Sequence, residues 1–546
     1  MNRVQKYIFN GLLLSLATIA MRGVGVAFNV FVTSRVGAEG MGLLNLTQTV
    51  YGFAITLATS GINLAVVRLV SRALPYENEN YFDENADRRV NKIMKNALFY
   101  CLFFSILSSL LLYSGAEAIG TYALGDTRTI PSLKILAFTL TPISLSSALN
   151  GYFNAVRRVY KSVIVQICEQ GAKITVVSAL LMLIGPHGLK YACIAVVAGG
   201  AVSEAVCVLI SATLYFFDRR IHKSNKFSIA ENVAKSSTSK GILGFNDINK
   251  GCFIRKKAKA DPKSSSIISI ALPVAVSTYV RSALLTIEHL AIPWGLKRSG
   301  VSSASALASY GVLHGMVFPI LLFPSAVLSS FASLLIPELS SAQEQGDTKR
   351  VNGIVSRVFF FSLLFSIGVS GIFVCFSKEL GDFIYKSSEA GEFIRLLAPL
   401  IPLMYLDTAV DSMLKGLGEQ LYTMRVNIAD AFMSVLLVLT LLPSMGIKGY
   451  VVVIFLMELF NTSLSIIKLL NVTKIKTPIA KWVFKPLVSV VLATVVTRLL
   501  FNNDGIYNIF SSIFNSRAVC FIEIFICGLC YLLFSKVFYR IGNKEI

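Results

Sequence analysis

The sequence predicts an all-α polytopic membrane protein of about 14 transmembrane helices, with two six-helix repeat lobes and two extra C-terminal helices. Three observations predict it. Hydrophobic residues make up 54% of the 546 and charged residues only 15%, with a mean hydropathy of +0.67. Apolar runs of membrane-spanning length recur along the whole chain. Features of the first half return in the second at a nearly constant offset.

Span 1, residues 8–32, is about 37 Å of helix, enough to cross a bilayer with some tilt. Its apolar character continues past Arg22 into Val24-Gly-Val-Ala-Phe28, so it does not read as a cleavable signal. The next five spans are expected at 42–70, 94–114, 133–154, 161–184 and 190–217. The second half follows with 267–292, 306–336, 354–377, 393–414, 425–443 and 448–470, and then 482–501 and 517–538. The 42–70 and 306–336 runs are long enough to tilt or to extend beyond the bilayer.

Most of the 51 Lys and Arg residues fall in alternate loops, on the side that carries Arg3, Lys6, Arg68, Arg72, Arg88, Arg89, Arg157 and Arg158. The bias places both termini in the cytoplasm. Residues 218–266 form a basic loop with the cluster Arg255-Lys-Lys-Ala-Lys259. It reads as a cytoplasmic linker, with contact to anionic lipid headgroups as a further use. The expected organisation is a first lobe at 1–217, the linker at 218–266, a second lobe at 267–470, and two added helices with a short tail at 471–546.

Ser147-Ala-Leu-Asn-Gly151 matches Ser412-Met-Leu-Lys-Gly416 at an offset of 265, Gly42-Leu-Leu matches Gly311-Val-Leu at 269, and Arg22 matches Arg281 at 259. Each half holds six spans, so the copies share one orientation and an axis along the membrane normal relates them.

A formal charge of +21 invites a nucleic-acid reading, but the basic residues are spread between apolar runs and form no single face. The nine cysteines are scattered, and Cys527-Gly-Leu-Cys530 lies inside an apolar run, where small buried hydrophobes are expected. The four histidines form no zinc pattern, so no structural metal is expected. Neither a phosphate-binding glycine loop nor a hydrolase constellation occurs, and the chain does not read as an enzyme.

The functional signal lies in polar residues at membrane depth. A guanidinium near the bilayer centre costs about 3 kcal/mol on insertion scales, so Arg22 and Arg281 should face the bundle interior or a wet cavity. With Lys173, they are the candidates for holding an anionic headgroup near the midplane, where the forked donors of arginine suit phosphate. The competing reading pairs each arginine with an acid as a structural brace. Lys173 also has Glu169 four residues earlier and Glu204 on the next span, which predicts an ion-pair network. Asp407 and Asp411 share one face of span 10, and Asp430 falls at nearly the same depth. Three carboxylates at one level suit a hard cation or a shared proton, and pairing with Arg281 and Lys415 is the alternative. Glu288 is expected about 10 Å nearer the outer face, too far along the axis to join them. Pro273, Pro319, Pro324, Pro399 and Pro402 are expected inside spans, as kinks.

Arg22-Gly-Val-Gly25, Arg35-Val-Gly-Ala-Glu-Gly-Met-Gly42 and Gly61-Ile-Asn-Leu-Ala-Val-Val-Arg-Leu-Val-Ser71 resemble the opening of the stage V sporulation protein B group. That group lies within the multidrug/oligosaccharidyl-lipid/polysaccharide (MOP) exporter superfamily. Ile336-Pro-Glu-Leu-Ser340 and the stretch from Tyr405 to Gly418 resemble its second half, and the long basic loop is the main departure. The resemblance implies two lobes in a V around a central cavity, a lipid-tail groove made by the last two spans, and no cofactor. It implies transfer of undecaprenyl-pyrophosphate-linked saccharide, such as a peptidoglycan or spore-cortex precursor, to the outer leaflet of the bacterial cytoplasmic membrane. Cavity arginines and a sodium site on spans 7, 10 and 11 matter in related lipid II flippases. Arg22, Arg281, Asp407, Asp411 and Asp430 occupy comparable places, but span 7 offers no acid at that depth, so Na+ or H+ remains open as the coupling ion. Two other functions fit the same spans: a multidrug cation antiporter, and a non-transporting scaffold among cell-wall synthesis proteins.

Overall fold

A computed structural model describes residues 3–59, 61–73, 84–156, 158–238, 267–475, 479–502 and 516–542. The first half holds α1 (Arg3–Thr59), α2 (Ile62–Ala73), α3 (Glu84–Ala118), α4 (Ile130–Ala155), α5 (Val159–Ile184) and α6 (Leu189–Thr238). The second opens with α7 (Ile267–Arg298), α8 (Ser303–Gly311), α9 (Phe318–Leu322) and α10 (Ser325–Glu344). It continues with α11 (Thr348–Cys375), α12 (Ser377–Leu380), α13 (Ser388–Leu397), α14 (Ile401–Gly416), α15 (Gln420–Met445) and α16 (Ile447–Thr473). Two more helices, α17 (Ile479–Phe501) and α18 (Ser516–Gly542), complete the chain, and no strand occurs among the described residues.

The fold is all-helical, as expected, but the count differs. Twelve stretches among the described residues are long and apolar enough to cross a membrane. The first, Thr18–Ala73, takes in two expected spans, and α7 is not among the twelve. Gly37, at φ 75° and ψ 177°, breaks α1 between these two expected spans, so α1 is two helices joined across a kink. Helix α6 runs on to Thr238, so the first part of the expected linker is helical. Residues 239–266, with the basic cluster at 255–259, lie outside the described residues, as does Arg157. Pro319, Pro399 and Pro402 lie inside the spans Ser303–Leu322 and Ser388–Gly416, as expected, each where the helix changes type, and Pro324 caps α10.

The internal repeat is visible in backbone detail. Gly151 abuts Asn63 and Val66 of α2, and Gly416 abuts Ile336 and Leu339 of α10, so each matched glycine lies in the last turns of its helix against the second helical segment of its half. The loops after α3 and α12 are copies as well. Each has a π-turn (Ile119–Ala123, Gly381–Tyr385), followed by a side-chain cap, Asp126 on the N–H of Arg128 and Ser387 on that of Ala390. Opposite the π-turns, Gly120 meets Ile130 and Gly381 meets Gly391.

Each half is also tied by an ion pair on the side that carries the termini. In the first, buried Asp218 of α6 accepts from Lys161 and, at 2.5 Å, from Arg158. In the second the signs are exchanged, with Lys468 of α16 at 3.1 Å from Glu419. On the opposite side, Arg128 bridges Asp126 at 2.6 Å and Glu39 at 2.7 Å. Burial alone would raise the Asp126 carboxyl, but hydrogen bonds from the Arg128 side chain and backbone outweigh it and hold it below its usual value. That contribution is full above about pH 4 and is lost as pH falls through the folded value. The stability gap between wild type and Asp126→Asn is therefore expected to stay constant from about pH 7 to about pH 4 and to shrink only below about pH 4 in thermal unfolding.

The halves meet where the matched Gly42 and Gly311 cross. A Cβ on Gly42 would lie 2.0 Å from the Leu307 carbonyl oxygen, and one on Gly311 would lie 2.1 Å from that of Ala38. The added pair α17–α18 packs on α11. Gly368 receives Tyr531 and Gly371 receives Val490, and Tyr531 Oη donates to the Leu364 carbonyl at 2.5 Å. Arg498 pins the pair's far end to Glu379 at 2.6 Å.

Candidate functional site

Helix α14 buries Tyr405, Leu406, Ala409, Val410, Met413 and Leu414, and Tyr405 Oη donates to the Leu321 carbonyl at 2.6 Å. With that face fixed in the core, helical spacing turns Asp407, Asp411 and Lys415 together to the other side. They line a polar cavity of about 280 Å³ with Thr408 and Ser412, Arg281 of α7, Asn427 of α15, and Asn461 and Ser465 of α16.

Two carboxylates one turn apart repel unless a positive charge stands near them. Lys415 supplies one, 2.5 Å from Asp411. Asn461 Nδ2 donates to Asp407 at 3.3 Å. One carboxylate oxygen (Oδ1) of each of Asp407, Asp411 and Asp430 is buried without a hydrogen-bond partner among the described residues. Arg281 adds the second cation of the lining, which balances two acids against two bases. The chain thus brings Arg281 to the same cavity as Asp407 and Asp411, whereas Asp430 is not part of its lining. Among the described residues no three His, Cys, Asp or Glu side chains close into a metal cage.

The cationic candidates are not locked into braces. Among the described residues, Arg22, Lys173 and Arg281 have no acid within ion-pair distance, although Arg281 shares its cavity with Asp407 and Asp411. The expected Glu169–Lys173 pair is therefore not formed; helical spacing sets a shared face but not the rotamers that close a contact. Arg22 is exposed. Its neighbour Gly23 faces Phe323 of the second half and Gly25 faces Gln170 of the first, so this stretch of α1 lies between the halves. Ser282, next to Arg281, reaches Thr56 of α1 at 3.3 Å, so the arginine stands close to the same boundary.

Sequence reasoning missed several neighbours. Glu288 accepts from Ser434 at 2.6 Å, one helical turn from Asp430, and so lies nearer the acidic group than its axial position suggested. Glu458 of α16 accepts from Thr462 at 3.1 Å, and Asn461 follows on the cavity wall. The available signal was a polar trio, Glu458, Asn461 and Thr462, inside an apolar run.

The comparisons agree with this architecture. A family described as polysaccharide biosynthesis protein matches residues 8–248, and the MatE family matches 297–440. Stage V sporulation protein B of Bacillus subtilis (strain 168) is 24% identical over 448 residues, covering 82% of this chain and 80% of its own. Sporulation protein YkvU of the same organism is 20% identical, covering 77% and 83%. A solved structure of the lipid II flippase MurJ, in an inward closed conformation, superposes with a TM-score of 0.65 at 15% identity, covering 97% of this chain and 99% of that one. An inward-facing multidrug resistance MATE family transporter of the MOP superfamily gives 0.59 at 13% identity, covering 84% and 97%. The chain is thus similar to stage V sporulation protein B along most of its length, matches the two family models in successive stretches, and has a multi-pass membrane fold like that of MurJ and the MATE transporter structures.

Proposed function

We propose that this protein moves a prenyl-pyrophosphate-linked saccharide from the inner to the outer leaflet of a bacterial cytoplasmic membrane by alternating access, with both termini in the cytoplasm. The observation that carries the reading is that, among the described residues, Arg22 and Arg281 have no acid within ion-pair distance at the boundary between the halves. An unpaired guanidinium at membrane depth is costly, and an anionic cargo offsets that cost by accepting paired hydrogen bonds. Lys173 is a third donor to the anion. Asp407, Asp411 and Asp430 are the candidates for a coupling Na+ or H+, their unpartnered oxygens being the acceptors such an ion needs. Three fixed positive charges disfavour a cationic drug as cargo.

The test is translocation of fluorescent lipid II in proteoliposomes. Arg22→Ala and Arg281→Ala are each expected to slow it by about 10- to 100-fold with normal insertion, since each removes one charge-assisted bidentate contact. Arg→Lys should recover only part of the rate, because lysine lacks the fork. Undiminished translocation in the double alanine variant would defeat the proposal. Loss of wall synthesis without any translocation by wild type would favour a scaffold.

A further inference from the structure

Two of the four histidines sit inside the second half, His289 on α7 and His314 on the segment that seals the halves together. Between α8 and α9 the chain makes a π-turn, Val312–Val317, inside an apolar span. Such turns insert an extra residue into the helix and gather at functional sites. One face of this segment carries Gly311 and Gly315. Gly311 lies against the backbone of Ala38 and Gly42, and Gly315 against Asn45 and Met41 of α1. The next face carries Tyr310 and His314 and looks into the second half. There His289 Nδ1 meets Tyr310 Oη at 2.9 Å, and His314 Nε2 meets Tyr450 Oη at 2.8 Å. The two imidazole rings stand 4.7 Å apart. Both phenols are buried and both imidazoles partly so.

This cluster belongs neither to the arginines nor to the cavity on α14. Polar side chains at this depth are costly, and the phenols satisfy only one nitrogen of each ring. Nε2 of His289 and Nδ1 of His314 have no hydrogen-bond partner among the described residues. Imidazole is the side chain whose ordinary titration falls in the physiological range.

We propose that His289 and His314 form a proton-binding site that controls the seam between the halves. With both rings neutral, the phenol–imidazole chain holds the π-turn in place and Gly311 seated on α1. Where the bonded ring nitrogen accepts from its phenol, a proton taken up there turns it into a donor, and that phenol must turn to accept or leave. A second proton sets two like charges side by side. Either event loosens the face behind the glycines, and the seam parts.

The groups around the site fit this use. Glu288 on α7 is the nearest acid and is occupied by Ser434. Tyr310 on α8 and Tyr450 on α16 are the bonded phenols. Glu39, on α1, is held away by Arg128, and Glu389 of α13 is bonded to Ser309. Glu392 and Arg395, also on α13, are exposed. Of the cations on these elements, Arg281, Lys297 and Arg298 of α7 lie eight or more residues along the helix from His289, and Lys448 of α16 is exposed, as is Arg395.

The full-length chain in lipid nanodiscs, followed by amide hydrogen exchange corrected for the intrinsic effect of pH, provides the test. Protection of residues 41–45 and 311–315 is expected to fall about tenfold between about pH 8 and about pH 5.5, the change that one proton bound one pKa unit more tightly by the parted state produces. In His289→Asn/His314→Gln the response should vanish. Should that variant not insert, Tyr450→Phe, which frees His314 but keeps the ring, should shift the midpoint of the response. Equal protection of wild type at both pH values would overturn the proposal, as would an unchanged response in the histidine variant or an unshifted midpoint in Tyr450→Phe. None of these outcomes depends on the cargo, so lipid translocation can succeed where this site fails, and the reverse.

Discussion

Gly42→Ala is expected to stop the two halves from closing on each other, and Gly311→Ala to do the same from the other side. Each added methyl would lie about 2 Å from a carbonyl oxygen of the opposing helix, less than two-thirds of a normal contact. The obstacle is backbone on both sides, so no rotamer change relieves it, and the helices must separate by about 1 Å or more. Overpacking of this kind costs about 1–3 kcal/mol, which moves a two-state closing equilibrium about 5- to 150-fold towards the parted form. Translocation in proteoliposomes is expected to drop by a comparable factor. Gly52→Ala is the control: it lies on the same helix with nothing near its Cβ, and should leave the rate unchanged.

Asp218→Ala is expected to produce the largest loss of stability. The aspartate is 1% exposed and accepts from both Lys161, itself buried, and Arg158. Removing it leaves a buried ammonium with no counter-charge, which costs about 3–5 kcal/mol. Arg158, at 30% side-chain exposure, can turn to solvent, so the lower end of that range applies. Asp218→Asn should cost less, because the amide oxygen still accepts one hydrogen bond. Denaturant unfolding in detergent micelles reads both variants. The second half is expected to respond more weakly to Glu419→Ala, since Glu419 and Lys468 are each about one-third exposed.

Much of the fold was legible because membrane spans announce themselves by length and apolarity, and because duplication leaves matched residues behind. Gly42 and Gly311 were picked out only as equivalent positions, yet they are in contact with each other's helices. A residue near the axis of a two-fold repeat meets its own counterpart. The copied π-turns at Ile119–Ala123 and Gly381–Tyr385 left a faint trace, Gly120-Thr-Tyr122 against Gly381-Asp-Phe383, too short to stand out without the backbone geometry. The division between spans 8–32 and 42–70 was legible in hydropathy, and Gly37 breaks α1 inside that gap.

The candidate site was legible on α14, where Asp407, Asp411 and Lys415 follow helical spacing and one face is clearly core. Its remaining walls come from α7, α15 and α16, which are distant in sequence, so Asn427, Asn461 and Ser465 could not be assigned to it beforehand. The same reason hid His289 and His314. They are 25 positions apart on separate helices, and only the packing of α7 on α8 makes them neighbours.

The account stands on the claim that the unpaired arginines hold a diphosphate. The direct measurement is equilibrium binding of undecaprenyl diphosphate and of uncharged undecaprenol to the purified chain over a range of salt. The diphosphate is expected to bind more tightly, with affinity falling as salt rises, and Arg22→Ala/Arg281→Ala should reduce it to the level of the alcohol. Equal binding of the two prenyl lipids by wild type would contradict the claim.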